Sequence, residues 1–188
     1  MHYIAVAYYT ENSIYAEEVK KLEASLKRHK MDYELVAIRD QSSWHENAHF
    51  KPYFIKQMLY RHFPKDVLYI DADAIVQQYP YLFDTFKADL GVVYFKRPHH
   101  DEELLGGTLY FANNARTMEL VDRWIACCLE YHTVWDQKVL QHIIYETKDI
   151  NIKIERLPPN YCQIFDLMQH VGHAVIEHFQ ASRKVNKN

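Results

Sequence analysis

Hydrophobic positions recur along this chain with two different periods, and each change of period marks a predicted element. Short apolar runs bounded by turn residues predict buried strands, and apolar residues three or four positions apart predict amphipathic helices. The predicted strands are residues 2–8, 33–38, 67–70, 89–95, 107–112, 152–157 and 174–178. The predicted helices are residues 12–30, 49–61, 80–86, about 114–131 and 135–146. Strands and helices alternate, which is typical of an α/β fold.

Local signals indicate how several of these helices begin. Pro52 is predicted in the first turn of the second helix, where a proline loses no hydrogen bond. Asn113 or Asn114 is predicted to cap the fourth helix. Thr133 and Asp136 have capping-box spacing for the last one. The first strand, helix and strand form a βαβ unit, whose crossover is expected to be right-handed.

The segment 67–76 is the most informative part of the sequence. Its apolar run is interrupted by Asp71 and Asp73, which are separated by one residue. Ionised carboxylates are costly inside a strand, so both are expected at its carboxyl-terminal edge, where α/β proteins hold their ligands. Because side chains at i and i+2 of an extended segment point the same way, the pair is suited to one divalent cation.

This acidic pair has two other interpretations. It is also compatible with a simple exit from a strand into a loop, and these two residues alone do not distinguish that case. Haloacid-dehalogenase-type phosphatases place Asp-x-Asp after a strand too, but there the pair normally ends the first strand and is followed by Thr. Here a long segment precedes the pair and Ala74 follows it, which disfavours a phosphatase.

Composition and charge restrict the class of protein. The 188 residues are 48% hydrophobic and 25% charged, as in soluble globular proteins, and no shift in composition marks a domain boundary. The formal net charge of −3 gives no general reason to expect nucleic-acid binding. No window approaches the roughly 18 apolar residues of a membrane span, and the apolar N-terminal run is predicted to be a strand rather than a signal peptide.

The three cysteines do not indicate a disulfide framework. Cys127 and Cys128 are adjacent, Cys162 is isolated, and no C-x-x-C spacing occurs, so a zinc site is not indicated either. Disulfides persist mainly in oxidising compartments. A reducing compartment, and therefore a cytoplasmic location, is predicted.

Four segments, in this order, resemble motifs of the GT-A nucleotide-diphospho-sugar glycosyltransferases. They are Asp71-x-Asp73, Gly106-Gly107-Thr108, Trp135-Asp136-Gln137 and residues 178–184. The second stands where the family has an Asn-Ser-Gly-type strand. The third is similar to the Asp-Gln pair of glycogenin-like and lipopolysaccharide-galactosyltransferase-like enzymes, and the fourth to their C-terminal His-Phe-x-Gly-x-x-Lys, with Ala181 in place of Gly. Ser43-Trp44 and residues 51–55 also resemble the phage and bacterial branch.

The resemblance implies a fold. It is a single GT-A domain over residues 1–188, with a Rossmann-like mixed sheet flanked by helices. Residues 1–76 would form a nucleotide-binding half, and residues 77–188 would form the half that holds the sugar and the acceptor.

The resemblance also implies a set of site residues. The metal ligands would be Asp71, Asp73 and His178. For this mixed oxygen and nitrogen set, Mn²⁺ is favoured over Mg²⁺. The catalytic pair would be Asp136 and Gln137, and the sugar or acceptor pocket would contain Gly106, Gly107 and Thr108. The residues that bind the donor nucleotide would be Tyr8, Tyr9, Thr10, Lys51, Asp71, Arg183 and Lys184.

The implied activity is metal-dependent transfer of a sugar from a nucleoside-diphosphate sugar, with UDP favoured and with retention of the anomeric configuration. An inverting enzyme would need a carboxylate base beside the acceptor hydroxyl, and Asp136 is also suited to that role. A non-catalytic nucleotide-sugar-binding module is the main alternative. A sugar nucleotidylyltransferase is disfavoured because no glycine precedes Gly91, so the N-terminal glycine-rich loop of those enzymes is missing.

The acceptor and the oligomeric state are left open by the sequence. A saccharide, a protein and a modified DNA base are all compatible with it. Residues 96–100 are predicted to form a mobile surface loop. An acceptor role is the less favoured alternative, which the resemblance suggests because loops at that position cover the acceptor side in the family.

Overall fold

The computed structural model describes residues 1–40, 44–146 and 149–185, without the side chains of residues 44, 45, 184 and 185. The strands in this part of the chain are β1 (Tyr3–Thr10), β2 (Tyr33–Ile38), β3 (Asp66–Ile70), β4 (Ala74–Val76), β5 (Leu90–Lys96), β6 (Glu102–Phe111), β7 (Ile154–Arg156), β8 (Gln163–Ile164) and β9 (Ile176–His178). The α-helices are α1 (Ile14–Arg28), α2 (Trp44–Arg61), α3 (Ala115–Glu130), α4 (Asp136–Glu146) and α5 (Ser182–Val185). Three short 3₁₀ helices span Tyr81–Thr85, Pro159–Cys162 and Gln169–Val171.

The described strands form two sheets. The larger sheet has six strands in the order β2-β1-β3-β6-β5-β7. Its β1–β2, β1–β3 and β5–β7 pairs are parallel, and β6 runs antiparallel to both β3 and β5. The smaller sheet has the order β4-β9-β8. The predicted class is confirmed: this is a mixed α/β fold with a mixed sheet flanked by helices.

Each face of the large sheet is covered by its own hydrophobic core. Along β1, Tyr3, Ala5 and Ala7 point into the core that includes Leu22 and Leu26 of α1. The intervening residues of β1 point into the opposite core, which helices α2, α3 and α4 cover. This is the two-residue period of a strand that is buried on both faces, and it explains why these strands appear in the sequence as nearly continuous apolar runs.

The sheet order determines where the polar residues meet. Because β1 and β3 are parallel, their carboxyl ends, Thr10 and Ile70, lie at the same edge. Strand β6 passes this edge in the opposite direction, and the Asp71 N–H donates to the Gly107 carbonyl at 2.8 Å. Beyond that point the β5–β6 hairpin continues out to Lys96 and Glu102, which pair with each other. The hairpin therefore forms a wall above the edge.

Several predicted elements need correction. Helix α2 begins at Trp44 rather than near residue 49, and Pro52 lies inside it, so the prediction that Pro52 occupies the first turn is wrong. No glycine or proline separates Trp44 from Pro52, and the helix extends back to that point. The element predicted at residues 80–86 is a short 3₁₀ helix. The small sheet as a whole was not predicted: β9 lies within the strand predicted at 174–178, but β4 and β8 contain only three and two residues.

Other local predictions are confirmed. Asn114 is the N-cap of α3, and its side-chain oxygen accepts a hydrogen bond from the Thr117 N–H at 3.1 Å. Strand β2 has the predicted bounds. The prediction at 107–112 identified only the second half of β6, since the strand begins at Glu102.

Candidate active site

A cleft with a volume of about 640 Å³ opens at the carboxyl edge of β1 and β3. Its walls come from β1, α2, the segment after β3, the start of α4 and the C-terminal segment. The residues of the predicted site that line it are Tyr8, Tyr9, Thr10, Lys51, Asp71, Asp73, Asp136, Gln137 and Arg183. The fold thus brings into one cavity residues that are far apart in the sequence.

Asp71, Asp73 and His178 form the one group of potential metal ligands found among the described residues. One ligand atom from each lies within 4.8 Å of the others. The small sheet makes this possible, because β4 pairs with β9 in a register that places Ala74 opposite His178. The Oδ2 atom of Asp73 accepts a hydrogen bond from the Ala181 N–H at 2.7 Å. The C-terminal segment is therefore held directly against the acidic pair.

Buried contacts fix the orientation of His178. The side chain is 1% exposed, and its Nε2 lies 2.8 Å from the Thr108 hydroxyl. Its Nδ1 lies 3.9 Å from an Asp73 oxygen. A Cβ on Gly107 would come within 2.8 Å of the imidazole Cε1, so the ring occupies space that only glycine leaves open. With Nε2 bonded to Thr108, Nδ1 is the nitrogen that faces the acidic pair.

The three candidate ligands together attract a positive charge, which either a proton on His178 or a metal ion can supply. Burial raises the pKa of Asp71, and the charge of Asp73 raises it further, while Lys51 opposes the shift. Burial alone would raise the pKa of Asp73, but His178 and the Ala181 N–H outweigh it and the net shift is downward. Burial would lower the pKa of His178, yet Cys162 and Asp73 raise it to about 10. Two neighbouring carboxylates attract positive charge, and a divalent ion would meet that demand with a neutral imidazole as ligand.

Lys51 connects the acidic pair to the start of α4. The residue is 7% exposed, and its Nζ lies 3.3 Å from an Asp71 oxygen and 3.1 Å from an Asp136 oxygen. It also donates to the Gly106 carbonyl at 3.1 Å and lies 5.0 Å from the centre of the Tyr69 ring. Burial alone would lower the pKa of Lys51, but the charges of Asp136 and Asp71 raise it well above its usual range. The ammonium therefore stays charged at the floor of the cleft.

Asp136 and Gln137 begin helix α4 and lie against β6. The Asp136 backbone carbonyl accepts a hydrogen bond from the buried Trp124 indole at 2.9 Å, which fixes the position of this turn. The Gln137 side-chain oxygen accepts from the Gly106 N–H at 3.3 Å. A Cβ on Gly106 would lie 3.0 Å from the Gln137 Cβ, so the absence of a side chain there allows α4 to approach the strand closely.

The last three residues of β1 all line the cleft, but they make different contacts. The Tyr8 ring packs against Phe50 and Phe54, with ring centres 5.3 Å and 5.2 Å away, and its hydroxyl donates to the Asn47 carbonyl. These contacts hold the Tyr8 ring among side chains of α2, and the neighbouring Tyr9 also lines the cleft. The Thr10 hydroxyl donates to the Ser13 side chain at 2.7 Å.

A family model supplies the decisive comparison. The model described as nucleotide-diphospho-sugar transferase matches residues 9–185, which is nearly the whole chain. The chain belongs to this family. It is therefore a glycosyltransferase that uses a nucleotide sugar, as the four motifs predict. Among curated protein sequences, none gives a significant match.

Solved structures confirm the fold of the transferase. A glycosyltransferase involved in glycosylation of the major capsid of PBCV-1 has a TM-score of 0.69 at 16% identity, with 95% of this chain and 93% of that chain covered. GlyE of Streptococcus pneumoniae TIGR4 has a TM-score of 0.66 at 15% identity, covering 99% of this chain and 56% of that one. The galactosyltransferase LgtC, solved with donor and acceptor sugar analogues, has a TM-score of 0.61 at 12% identity, covering 94% and 87%. The shared architecture is the GT-A fold.

The C-terminal segment of the transferase reaches the cleft, but its basic residues are only partly described. Arg183 lines the cavity and forms an ion pair with Asp166 at 2.6 Å. The side chain of Lys184 lies outside the described residues, and so does Ser43. Among the helices that the structure describes, none has the length and apolar character needed to cross a membrane.

Sequence reasoning missed one supporting residue of the site. The Tyr69 hydroxyl donates to an Asp71 oxygen at 2.6 Å, and its ring lies beside the Lys51 ammonium. Burial raises the pKa of Tyr69 well above its usual range, so the hydroxyl stays protonated and can donate. Tyr69 and Asp71 are two positions apart in an extended segment and share one side of it, which is the signal that would have identified the contact.

Proposed function

We propose that this transferase moves a sugar from a UDP-sugar to an acceptor, that the reaction depends on Mn²⁺ or Mg²⁺ with Mn²⁺ preferred, and that it retains the anomeric configuration. The observation that carries the proposal is the position of Lys51, which contacts both Asp71 and Asp136. One buried cation thereby connects the predicted metal ligands to the predicted catalytic pair on the floor of a single cleft.

The three candidate ligands fit a divalent cation. They offer two carboxylates and one imidazole within 4.8 Å of one another, and Thr108 bonds the imidazole nitrogen that faces away from the carboxylates. A hydrogen bond of this kind to the second nitrogen is usual for metal-binding histidines. The cation would stabilise the negative charge of the departing diphosphate. Arg183 and Lys184 are proposed to add positive charge near the phosphates, and Tyr9 and Thr10 to contact the nucleoside.

The surroundings of Asp136 support retention. Its side chain is buried and lies 3.1 Å from the Lys51 Nζ, so an acceptor hydroxyl has little access to it. In the retaining route, the acceptor oxygen bonds to the anomeric carbon on the face that the diphosphate leaves. The hydroxyl proton passes to the departing phosphate oxygen, and the nucleoside diphosphate is released. Gln137 would lie against the opposite face and stabilise the positive charge that develops at the sugar carbon.

Two broader expectations belong to the same proposal. Residues 1–76 provide most of the nucleotide side of the cleft, and residues 77–188 provide the sugar side, with Gly106, Gly107 and Thr108 beneath the sugar. Cytoplasmic location is supported by the three free cysteines, Cys127, Cys128 and Cys162.

A donor turnover assay tests the proposal. Purified protein is incubated with UDP-glucose, UDP-galactose and their N-acetyl analogues, with Mn²⁺ or with EDTA, and UDP release is measured. We expect UDP release with at least one donor, loss of release in EDTA, and a strong decrease in Gln137→Ala with UDP–Mn²⁺ affinity kept. Binding of UDP–Mn²⁺ without turnover of any donor or transfer to any acceptor would instead identify a non-catalytic binding module.

A further inference from the structure

A second cavity lies beside the donor cleft. It is an open groove with a volume of about 620 Å³, and it lies between the β5–β6 hairpin and α4. Arg97, Glu103 and Trp135 line both cavities, so the two are continuous. We call the second one the hairpin groove. Its size is that of a small-molecule site, and it opens next to the predicted catalytic pair.

One face of α4 lines the groove. Four residues spaced three, four and three positions apart lie on this side: Trp135, directly before the helix, and Lys138, His142 and Tyr145 within it. Trp135 is 46% exposed and Tyr145 is 53% exposed, although both are large aromatic residues. The Lys138 ammonium lies over one face of the Trp135 ring, 5.5 Å from its centre. The stripe thus combines exposed aromatic surface with polar groups that donate and accept hydrogen bonds.

The opposite wall is held in place before any ligand binds. The Gln141 side chain accepts from the Leu104 N–H at 2.8 Å and donates to the Glu102 carbonyl at 3.1 Å, which joins α4 to β6. Glu102 is paired with Arg156 and Glu103 with Arg97. A preformed site of this kind loses little conformational entropy when a ligand binds.

The charges of the groove select among acceptor classes. Its described lining contains two cations, Arg97 and Lys138, and three carboxylates, Asp101, Glu102 and Glu103. This near balance does not favour the polyanionic backbone of DNA, which basic surfaces bind. Aromatic faces suit the apolar C–H faces of sugar rings, and the imidazoles of His100 and His142 and the carboxylates suit their hydroxyl groups.

We propose that the hairpin groove binds a saccharide acceptor, which extends past Trp135 and presents one hydroxyl to the donor sugar above Gln137. This inference rests on the proposed function, since it assigns the acceptor class of the same reaction. The acceptor oxygen forms the new bond to the anomeric carbon, the bond from that carbon to the diphosphate breaks, and the hydroxyl proton leaves with the diphosphate.

A glycan array probed with fluorescently labelled protein in UDP and Mn²⁺ tests the groove. We expect the wild-type protein to bind at least one glycan and Tyr145→Ala and His142→Ala to lose about tenfold or more of that affinity. Tyr60→Ala, which removes an exposed tyrosine from α2, is the matched control and should bind like the wild type. Calorimetry with UDP–Mn²⁺ should give unchanged affinity for all three variants, since these residues lie outside the donor cleft.

The outcomes separate the two proposals. If the wild type binds UDP–Mn²⁺ but no glycan, or if both groove variants bind the same glycan as tightly as the wild type, the groove assignment is wrong and the proposed function stands. If the wild type does not bind UDP–Mn²⁺ at all, the proposed function fails, and the groove loses its role as an acceptor site with it.

Discussion

Lys51 occupies a position that lysine rarely takes, because a buried ammonium is costly unless it is paired. Here it meets two carboxylates, a backbone carbonyl and an aromatic ring, so its charge is compensated in several directions. Removing such a cation would leave Asp71 and Asp136 close together with their charges uncompensated. Lys51 therefore reduces the electrostatic repulsion between Asp71 and Asp136, which would otherwise destabilise the fold.

Asp73→Asn tests whether the Asp73 carboxylate binds the metal ion. We expect loss of measurable UDP–Mn²⁺ binding, because an amide oxygen is a much weaker ligand than a carboxylate. The fold should persist, since asparagine still offers an oxygen to the Ala181 N–H. Isothermal titration calorimetry measures the affinity, with Asp122→Asn on the surface as control. Normal UDP–Mn²⁺ affinity in Asp73→Asn would show that the metal is held elsewhere.

Thr108→Val tests whether the hydroxyl positions His178. Valine has nearly the same shape but cannot bond the imidazole Nε2, so we expect affinity for Mn²⁺ with UDP to fall about tenfold to a hundredfold. Thr108→Ser keeps the hydroxyl and should restore most of the affinity, although it also leaves a small cavity. Calorimetry on the three proteins makes the comparison. If Thr108→Val and the wild type had equal affinity for Mn²⁺ with UDP, Thr108 would contribute only to packing and would not position His178.

At the level of elements, Asp89 connects β5, α3 and β7. This buried carboxylate accepts hydrogen bonds from Arg116, from the Asn114 side chain and from the Lys153 N–H. Three elements that are far apart in the sequence thus converge on one side chain. The Arg116 guanidinium, followed by Lys153 and Asn114, lowers the pKa of Asp89 despite its burial.

Asp89→Asn should reduce the free energy of unfolding by about 2 to 3 kcal/mol at pH 7, because charged hydrogen bonds are lost from a buried site. The folded-state pKa of Asp89 is below its unfolded value of about 3.9, so its contribution is complete above that value and declines as the pH falls through the folded pKa. Urea unfolding of the wild type and of Asp89→Asn at pH 7, 4.5 and 3.5 measures this contribution. The difference between their free energies of unfolding should become smaller below about pH 4.

The exposed pair between Asp149 and Arg123 supplies the control for this experiment. Asp149→Asn should change stability little at any pH, because surface ion pairs contribute little. If Asp89→Asn behaved in the same way, the carboxylate would not be what joins the three elements.

At the scale of the whole molecule, the donor cleft joins segments from both ends of the chain, so ligand binding should stabilise the entire fold. A ligand at 100 times its dissociation constant adds about 2.7 kcal/mol to the free energy of unfolding. For a chain of this length that corresponds to roughly 5 to 10 °C in Tm. Thermal unfolding with UDP alone, Mn²⁺ alone and both together measures the effect.

We expect the large shift only when UDP and Mn²⁺ are present together, because in the proposed site Asp71, Asp73 and His178 would hold the cation and the cation would stabilise the diphosphate. A full shift with UDP alone would show that the nucleotide binds without the metal. The proposed metal dependence would then be wrong, while the family and the fold would be unaffected.

Several features were determined by the sequence alone because they depend on neighbouring residues. The apolar run before Asp71 predicts a buried strand, and the high cost of burying two charges predicts that the strand ends there. The Asn114 cap and the bounds of β2 likewise follow from local patterns. The order of the four motifs indicated the family, which the family model then confirmed.

Only the tertiary structure decided how distant residues combine. A strand was predicted at residues 174–178, but its partners β4 and β8 contain three and two residues, too few for a periodic pattern. The pairing of β9 with β4 is what brings His178 to Asp73. The contacts of Lys51 with Asp71 and Asp136 join segments that are distant in sequence. The hydrophobic period along the sequence shows which face of a helix or strand is buried, but it does not show which other element covers that face. The pairing of strands and the packing of helices determine that choice, and they assemble both the cleft and the hairpin groove.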